Sequence, residues 1–216
     1  MTITLYNLDR SPPCMFVRSL AKHIGVALKI KDVDFDKKEH LTDEYFKINP
    51  FRKAPVIVDG DFSVYESNAI AYYLLRKHAP ESELYPAGLK IRTRIDQVLA
   101  GLANKIDGPL VLFFFHRIVR KTKPSAEELQ EFEQKVITGI EYLVGDDKFA
   151  AGDTLTLADL AVIPYLTLAL ENDSVDPAKF PKLASYYKRV RKELPYYEEI
   201  RSDGMKYFKE LWATLK

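Results

Sequence analysis

The chain has very little cysteine and histidine for its length. It contains one cysteine, Cys14, and four histidines among 216 residues. A lone cysteine excludes a disulfide within the chain and excludes metal sites built from paired cysteines, and we expect no metal cofactor. Because proteins without disulfides are typical of reducing compartments, we expect a cytoplasmic location.

A charge excess of either sign and long apolar runs are also lacking. Lysine and arginine number 32 against 31 acidic residues, so the formal net charge is +1. This balance argues against a large basic surface for nucleic acid. We find no run of about 20 apolar residues and therefore expect no membrane span. The first residues enter a strand pattern, which is not that of a signal peptide.

The first third of the chain alternates strand and helix patterns. Strands are predicted at residues 2–8, 28–35, 54–58 and 62–65, and helices at 14–24, 42–48 and 69–75. The Asp59-Gly60 pair between the last two strands is a strong hairpin signal. The order β-α-β-α-β-β-α predicts a mixed sheet with helices on its faces.

The rest of the chain reads as helical after a polar, proline-bearing connector. Helices are predicted at residues 91–118, 125–144, 157–170, 181–192 and from 197 onward. A chain of this length favours two compact units of about 100 residues each. We therefore expect an α/β domain at 1–79, a linker at 80–89 and an all-α domain at 90–216.

Four short motifs follow one another along the chain. They are Ser11-Pro12-Pro13-Cys14, Ala54-Pro55-Val56, Glu66-Ser67 and Thr156-Leu157-Ala158-Asp159. Together with the predicted element order, they resemble the cytosolic glutathione S-transferases, and most of all the arthropod delta and epsilon classes. The last motif is a capping box at a helix start and is structural.

The resemblance implies a fold and an activity. The first domain is expected to have a thioredoxin-like fold and to bind glutathione, and the helical bundle is expected to carry a pocket for hydrophobic electrophiles. The implied reaction is conjugation of the glutathione thiolate to such electrophiles, as in detoxification, by a homodimer. Two alternatives on the same fold stay open: a non-catalytic protein that binds glutathione or hydrophobic ligands, and a glutathione-dependent isomerase.

Ser11 is the residue that the resemblance assigns to catalysis. An unperturbed thiol has a pKa of about 8.5, and lowering it by about two units requires about 2.7 kcal/mol. A hydrogen bond to a charged group contributes about 1.5–3 kcal/mol, and a helix N-terminus adds about 0.3–1 kcal/mol. A serine before a helix can supply both as a donor to sulfur, although it can also be a simple helix cap. Cys14 lies on the apolar face of the same helix and is expected to pack in the core.

The resemblance assigns glutathione binding to two further segments. A cis bond before Pro55 would turn the main chain of Ala54 outward, toward the cysteinyl unit. Ser67 would bind the γ-glutamyl carboxylate at a helix N-terminus, and Glu66 would face the ligand's ammonium group, with Asn68 next to them. The alternatives are an edge-strand proline and a capped helix.

The glycyl carboxylate of glutathione needs a cationic partner. Arg52 can bind it bidentately, Lys53 stands beside Arg52, and His40 also matches a family position. The alternative for all three is a solvated surface group.

The electrophile pocket is expected in the second domain, where residues 110–115 are unusually apolar and aromatic. Not all of these side chains can face one side of a helix. The proposed pocket residues are Leu110, Phe114, His116, Tyr207 and Phe208. Core packing or a dimer contact is the competing interpretation.

Overall fold

A computed structural model describes residues 2–171 and 175–216 of the chain. Its sheet consists of β1 (Ile3–Asn7), β2 (Leu28–Asp32), β3 (Val56–Asp59) and β4 (Phe62–Tyr65), in the order β2-β1-β3-β4. Strand β1 is parallel to β2 and antiparallel to β3, and β4 is antiparallel to β3. The predicted mixed sheet is thus confirmed. Strand β2 ends at Asp32 because its partner β1 ends at Asn7.

The helices of the first domain fill the predicted places between the strands. They are α1 (Pro12–His23), α2 (Asp43–Ile48) and α3 (Ser67–His78), with a short 3-10 turn at Glu39–Leu41. The buried face of α1 packs on α3 and on the helical domain, and residues from Cys14 to Val17 are almost fully buried. This is the expected thioredoxin-like arrangement.

The second domain is helical throughout its described residues. Its helices are α4 (Leu89–Gly101), α5 (Asp107–Arg120), α6 (Ala126–Phe132), α7 (Thr138–Val144), α8 (Leu157–Leu170), α9 (Pro181–Glu193) and α10 (Tyr197–Thr214). A π-helical turn, Leu102–Ile106, joins α4 to α5, and a second one, Glu133–Ile137, joins α6 to α7. Both therefore form single helical runs, as the sequence predicted. The two π turns lie against each other.

The helical run Leu89–Arg120 is more apolar than we expected when we predicted no membrane span from the sequence. An 18-residue window in it has a mean hydropathy of 1.5, so by length and composition it is sufficient to cross a membrane. The core helix of a soluble protein can meet the same criteria of length and composition. Its buried side chains, among them Ile95, Val98 and Leu110, belong to the main hydrophobic core.

Helix α8 lies at the centre of the helical domain. Every residue from Leu157 to Ala169 is buried, so the helix is apolar on all sides, as expected of a helix enclosed by others. Its only acidic side chain, Asp159, accepts hydrogen bonds from the Ala150 and Thr156 amides, each at 2.8 Å, and from the Tyr186 hydroxyl at 2.7 Å. The capping motif therefore fixes the start of the central helix and also ties it to α9.

Helix α10 lies directly on the loop that precedes Ser11. A Cβ atom at Gly204 would stand 2.6 Å from the Asp9 carbonyl oxygen and 2.8 Å from the Met15 side chain. The Arg18 guanidinium donates to the carbonyl of Ile200 at 2.9 Å. The last helix therefore holds the loop before Ser11 in place from the side of the second domain.

An ion pair between a buried arginine and a partly exposed glutamate joins α5 to α6. The Arg117 side chain is 1% exposed and donates to both carboxylate oxygens of Glu128, at 2.7 and 3.1 Å. Glu128 also accepts from the Ser125 amide and completes the capping box of α6. The pKa of Glu128 is lowered to about 2, and the hydrogen bonds from Arg117 contribute most to this change.

We expect Glu128→Gln to destabilise the protein by about 1–2 kcal/mol at pH 7, because the buried Arg117 loses its counter-charge and Glu128 itself is partly exposed. An unfolded glutamate has a pKa of about 4.3. The lowered pKa in the folded state therefore contributes stability that is complete above about pH 4.5 and is lost as the pH falls toward 2.

Thermal melts of the wild type and the variant from pH 7 to pH 3 test this prediction: the difference in Tm should narrow as the pH falls. Glu131→Gln is the matched control, since its salt bridge with Lys135 is exposed and should contribute little. A difference in Tm that stays constant down to pH 3 would contradict the assignment.

Candidate active site

A cavity of about 590 Å³ lies between the two domains, in front of the N-terminus of α1. The first domain contributes Leu8, Arg10, Ser11, Lys53 and Ala54 to its wall, and the second contributes Asp107, Leu110, Val111, Phe114, Phe115 and Phe208. The wall is mainly apolar and includes a few polar groups. This is the usual composition of a site for a small organic ligand.

Ser11 is the N-cap residue of α1, with an extended backbone, but its side chain makes no capping hydrogen bond. Pro12 follows at the first helical position and has no N–H to offer. The interpretation of Ser11 as a simple side-chain cap therefore does not describe this helix. Ser11 lines the cavity wall at the positive end of α1.

Cys14 is fully buried beneath this loop, and its Sγ accepts from the Leu8 amide at 3.4 Å. Burial raises the pKa of Cys14 to about 11, although a hydrogen bond with the Ser11 side chain lowers it in part. The thiol is therefore neutral and packed in the core. Because a hydroxyl rotates about a single bond, the Ser11 group that contacts this sulfur can also turn toward a sulfur in the cavity.

The peptide bond between Ala54 and Pro55 is cis, as the resemblance implied. The preceding carbonyl, that of Lys53, accepts hydrogen bonds from the Tyr45 hydroxyl at 2.9 Å and from the Asn49 side chain at 2.8 Å. These two contacts fix the loop that carries Ala54 into the cavity wall.

Glu66 and Ser67 lie where β4 passes into α3. Glu66 has φ +67°, a conformation that is uncommon for a residue other than glycine, and Ser67 begins the helix. Backbone of this kind persists where the surrounding structure imposes it and is often found at ligand sites. The side chain of Asn68 is used elsewhere, since it donates to the carbonyl of Leu99 on α4 at 3.3 Å.

His40 and Arg52 lie near each other, and neither lines the cavity beside Ser11. The His40 ring stacks on Phe35 with ring centroids 4.0 Å apart, and Arg52 donates to the adjacent Leu41 carbonyl at 2.6 Å. Burial, and then the charge of Arg52, lower the pKa of His40. The His40 Nδ1 atom is buried and has no hydrogen-bond partner among residues 2–171 and 175–216.

The five residues predicted for the electrophile pocket are divided among three cavities. Leu110, Phe114 and Phe208 line the cavity beside Ser11, and the rings of Phe114 and Phe208 are 4.9 Å apart. His116 lines a cleft between α5 and α6 instead, and Tyr207 lines a cleft on the other side of the Ser11 loop. On α10, adjacent side chains are turned by about 100° about the helix axis, which places Tyr207 and Phe208 in different clefts.

Asp107 is a polar member of the cavity that the sequence reading missed. Its carboxylate accepts a hydrogen bond from the Tyr165 hydroxyl at 3.1 Å. Burial raises its pKa, and the charges of Lys53 and Glu66 act on it in opposite directions. It is the only acidic residue between Asp96 and Glu127. Its position as a single carboxylate at the edge of an apolar run was the sequence feature that could have identified it.

Comparison with known families matches both parts of the chain. Residues 1–76 match the family model for the glutathione S-transferase N-terminal domain, and residues 102–194 match that for the C-terminal domain.

Solved structures of insect proteins share the whole fold. A delta-class glutathione transferase from Nilaparvata lugens is 28% identical, with a TM-score of 0.87 over 99% of this chain and 100% of that one. An epsilon-class enzyme from the housefly Musca domestica is 28% identical, with a TM-score of 0.85 over 98% and 97%. A glutathione transferase homolog from Drosophila mojavensis with bound glutathione is 27% identical, with a TM-score of 0.85 over 99% and 97%.

Proposed function

The chain belongs to the glutathione S-transferase family, and we propose that it conjugates glutathione to hydrophobic electrophiles, with the Ser11 hydroxyl stabilising the thiolate. The observation that carries this proposal is the position of Ser11. Its side chain does not cap α1, yet it stands at the helix N-terminus in the wall of an apolar cavity. A hydroxyl there can donate to sulfur with the added field of the helix.

Glutathione is proposed to lie along the edge of the first domain that faces the cavity. The main chain of Ala54, before the cis bond to Pro55, pairs with the cysteinyl unit. The γ-glutamyl carboxylate meets the Ser67 hydroxyl and amide, and its ammonium group faces Glu66. Asn68 supports this end by holding α3 against α4.

The glycyl carboxylate is proposed to bind at Arg52 and His40. The effect of the Arg52 charge on His40 and the unpartnered Nδ1 of His40 support this placement. Lys53 lines the cavity together with Asp107, and its charge lowers the pKa of that carboxyl, so we assign it to the boundary between the glutathione and electrophile sites.

The electrophile is proposed to occupy the apolar surface formed by Leu110, Phe114 and Phe208.

The proposed domain division is an α/β domain at 1–79, a linker at 80–89 and a helical domain at 90–216. The end of α3 at His78 and the start of α4 at Leu89 support it. A homodimer in the cytoplasm is proposed from the resemblance to the delta and epsilon classes.

The test is conjugation of glutathione to a chlorinated nitroaromatic, measured beside calorimetric titration of glutathione. In the expected reaction the sulfur forms a C–S bond at the carbon that loses chloride, and the thiol proton passes to solvent. Binding without conjugation would favour the non-catalytic binding protein. Conversion of isomerisable substrates without consumption of glutathione would favour the isomerase.

A further inference from the structure

Helix α5 presents one face to the cavity beside Ser11. The residues of this face line the cavity and follow the spacing of three and four positions that belongs to one side of a helix: Asp107, Leu110, Val111, Phe114, Phe115 and Ile118. The first of them is the polar one. Asp107 therefore stands at the end of an apolar surface that extends over about three turns of α5, or about 16 Å along its axis.

One oxygen of the Asp107 carboxylate is held by the protein and the other is not. Oδ1 accepts a hydrogen bond from the hydroxyl of Tyr165, a buried residue of α8, at 3.1 Å. Oδ2 forms neither a hydrogen bond nor a salt bridge with another residue in the described part of the chain. Asp107 is half-buried in the cavity wall, and Oδ2 is not one of the enclosed polar atoms that lack a partner. A ligand in the cavity can therefore reach it.

A carboxylate oxygen beside apolar side chains is stabilised by a hydrogen-bond donor. Burial raises the pKa of Asp107, while the Tyr165 hydrogen bond and the charge of Lys53 oppose this rise. An electrophile that brings an apolar group to Oδ2 displaces water and offers no donor in its place, which costs free energy. An electrophile with a donor there restores the bond. The cavity can therefore distinguish ligands by the group that they place against Asp107.

The other charges in the wall favour a neutral donor over a cation. Besides Asp107, the charged residues that line the cavity are Arg10 and Lys53, and both are cationic. The carboxylate that pairs with Arg10 is that of Asp36, at 3.7 Å, and its side chain is 76% exposed, so this pair neutralises little of the charge. Two cations beside one carboxylate oppose the entry of an ammonium group. A hydroxyl group meets no such opposition.

We propose that Asp107 selects electrophiles that carry a hydroxyl group on an apolar body, with the hydroxyl donating to Oδ2 and the apolar body lying along α5. This inference rests on the proposed conjugating function and names a substrate class for it. Asp107 acts on a part of the electrophile that does not react, so it determines specificity and takes no part in the transfer of sulfur.

The experiment compares three chlorinated nitroaromatics whose side chains have the same length: hydroxypropyl, n-butyl and aminopropyl. Each kcat/KM is divided by the rate constant of the uncatalysed reaction with glutathione. One hydrogen bond to a charged group is worth about tenfold or more, and burial of the butyl methyl group offsets part of this gain. We therefore expect the hydroxyl compound to be preferred over the butyl compound by at least about threefold, and over the ammonium compound as well.

Two variants at residue 107 test the role of the carboxylate. Asp107→Asn keeps an acceptor of the same shape without the charge and should reduce the preference for the hydroxyl compound by about twofold to fivefold, because a neutral acceptor forms a weaker bond. Asp107→Leu has no acceptor and should prefer the butyl compound. Its kcat/KM for the butyl compound should stay within a few-fold of the wild type, which shows that the cavity is intact.

Glu127→Gln, which neutralises an exposed carboxylate on α6, is the matched control and should leave the preference as it is in the wild type. Equal values for the hydroxyl and butyl compounds in the wild type would overturn the inference. A preference for the ammonium compound over the hydroxyl compound, or a preference that is unchanged in either Asp107 variant, would overturn it too. Asp107→Asn retains an acceptor for Tyr165, so its result decides if Asp107→Leu does not fold.

Calorimetric binding of the same compounds without the chlorine separates this inference from the proposed function. If none of the chlorinated compounds is conjugated, the proposed function is wrong. Tighter binding of the unreactive hydroxyl compound than of the butyl compound, lost in part in Asp107→Asn, would still support a hydroxyl site at Asp107. Equal binding of these two compounds would remove it.

Discussion

Replacing Ser11 by alanine is expected to lower kcat/KM for conjugation at pH 7 by about 10–150-fold, the value of one hydrogen bond to a charged group. Without the hydroxyl, the pKa of bound glutathione should rise toward the ordinary thiol value of about 8.5. The alkaline rise of the pH–rate profile should therefore move to higher pH. Rates measured from pH 6 to pH 9, together with the ultraviolet absorbance of the thiolate, test both effects.

Two controls show whether the Ser11→Ala effect belongs to the hydroxyl. Ser11→Thr keeps a donor at the same position and should recover part of the rate and of the pH profile. The Kd of glutathione should change by only a few-fold in Ser11→Ala, because its proposed carboxylate contacts lie at Ser67 and Arg52. An unchanged pH profile in Ser11→Ala would show that another group stabilises the thiolate.

Replacing Asp159 by alanine is expected to cost about 3–5 kcal/mol of unfolding free energy, as when one partner of a buried charged network is removed. Its carboxylate is fully buried and receives the Ala150 amide, the Thr156 amide and the Tyr186 hydroxyl. All of these donors would lose their acceptor at once. For a protein of this size the Tm should fall by about 6–20 °C.

Differential scanning calorimetry of Asp159→Ala beside Asp153→Ala measures this loss. Asp153 is an exposed aspartate in the same loop, so its removal should change the Tm little. The activity per folded molecule of Asp159→Ala should stay close to that of the wild type, because Asp159 lies outside the cavity wall. Equal melting of the two variants would show that the carboxylate does not anchor α8.

The fold could be predicted from local sequence signals because capping or turn residues mark the ends of nearly every element. The bounds Leu157–Leu170 agree with the prediction, since a capping box marks the start and the apolar run is unbroken. The Asp59-Gly60 pair gave the hairpin, and Gly60 has the positive φ that such a turn requires. These signals act over a few residues and need no tertiary context.

The site was harder to predict because it depends on which face of each helix meets a neighbour. Val111, Leu112 and Phe115 are more than half exposed although they are as apolar as the buried Phe114. Composition therefore could not separate His116 from the residues that share its helix. The π turn Leu102–Ile106 adds to the difficulty, because it changes the rotation per residue just before α5 begins.

Prediction from sequence also fails for polar groups whose partners are set by the fold. Examples are Asp107, Asn7 and the contact of Arg52 with Leu41. Each gains its role from a partner distant in sequence or from a backbone conformation, such as φ +56° at Arg52, that no short motif signals. Burial of a polar group becomes visible only when the chain is folded.

The contact of Gly204 with the Ser11 loop divides α10 into positions of very different mutability. At position 204 even a methyl group would collide with the Asp9 carbonyl, so substitutions there would displace the loop that carries the Ser11 hydroxyl. Glu210, on the same helix, is exposed and meets no such obstacle. A library that aims to broaden substrate range should keep residue 204 as glycine and vary the neighbouring positions that face the two clefts. New substrates can then be sought without displacing the loop before Ser11.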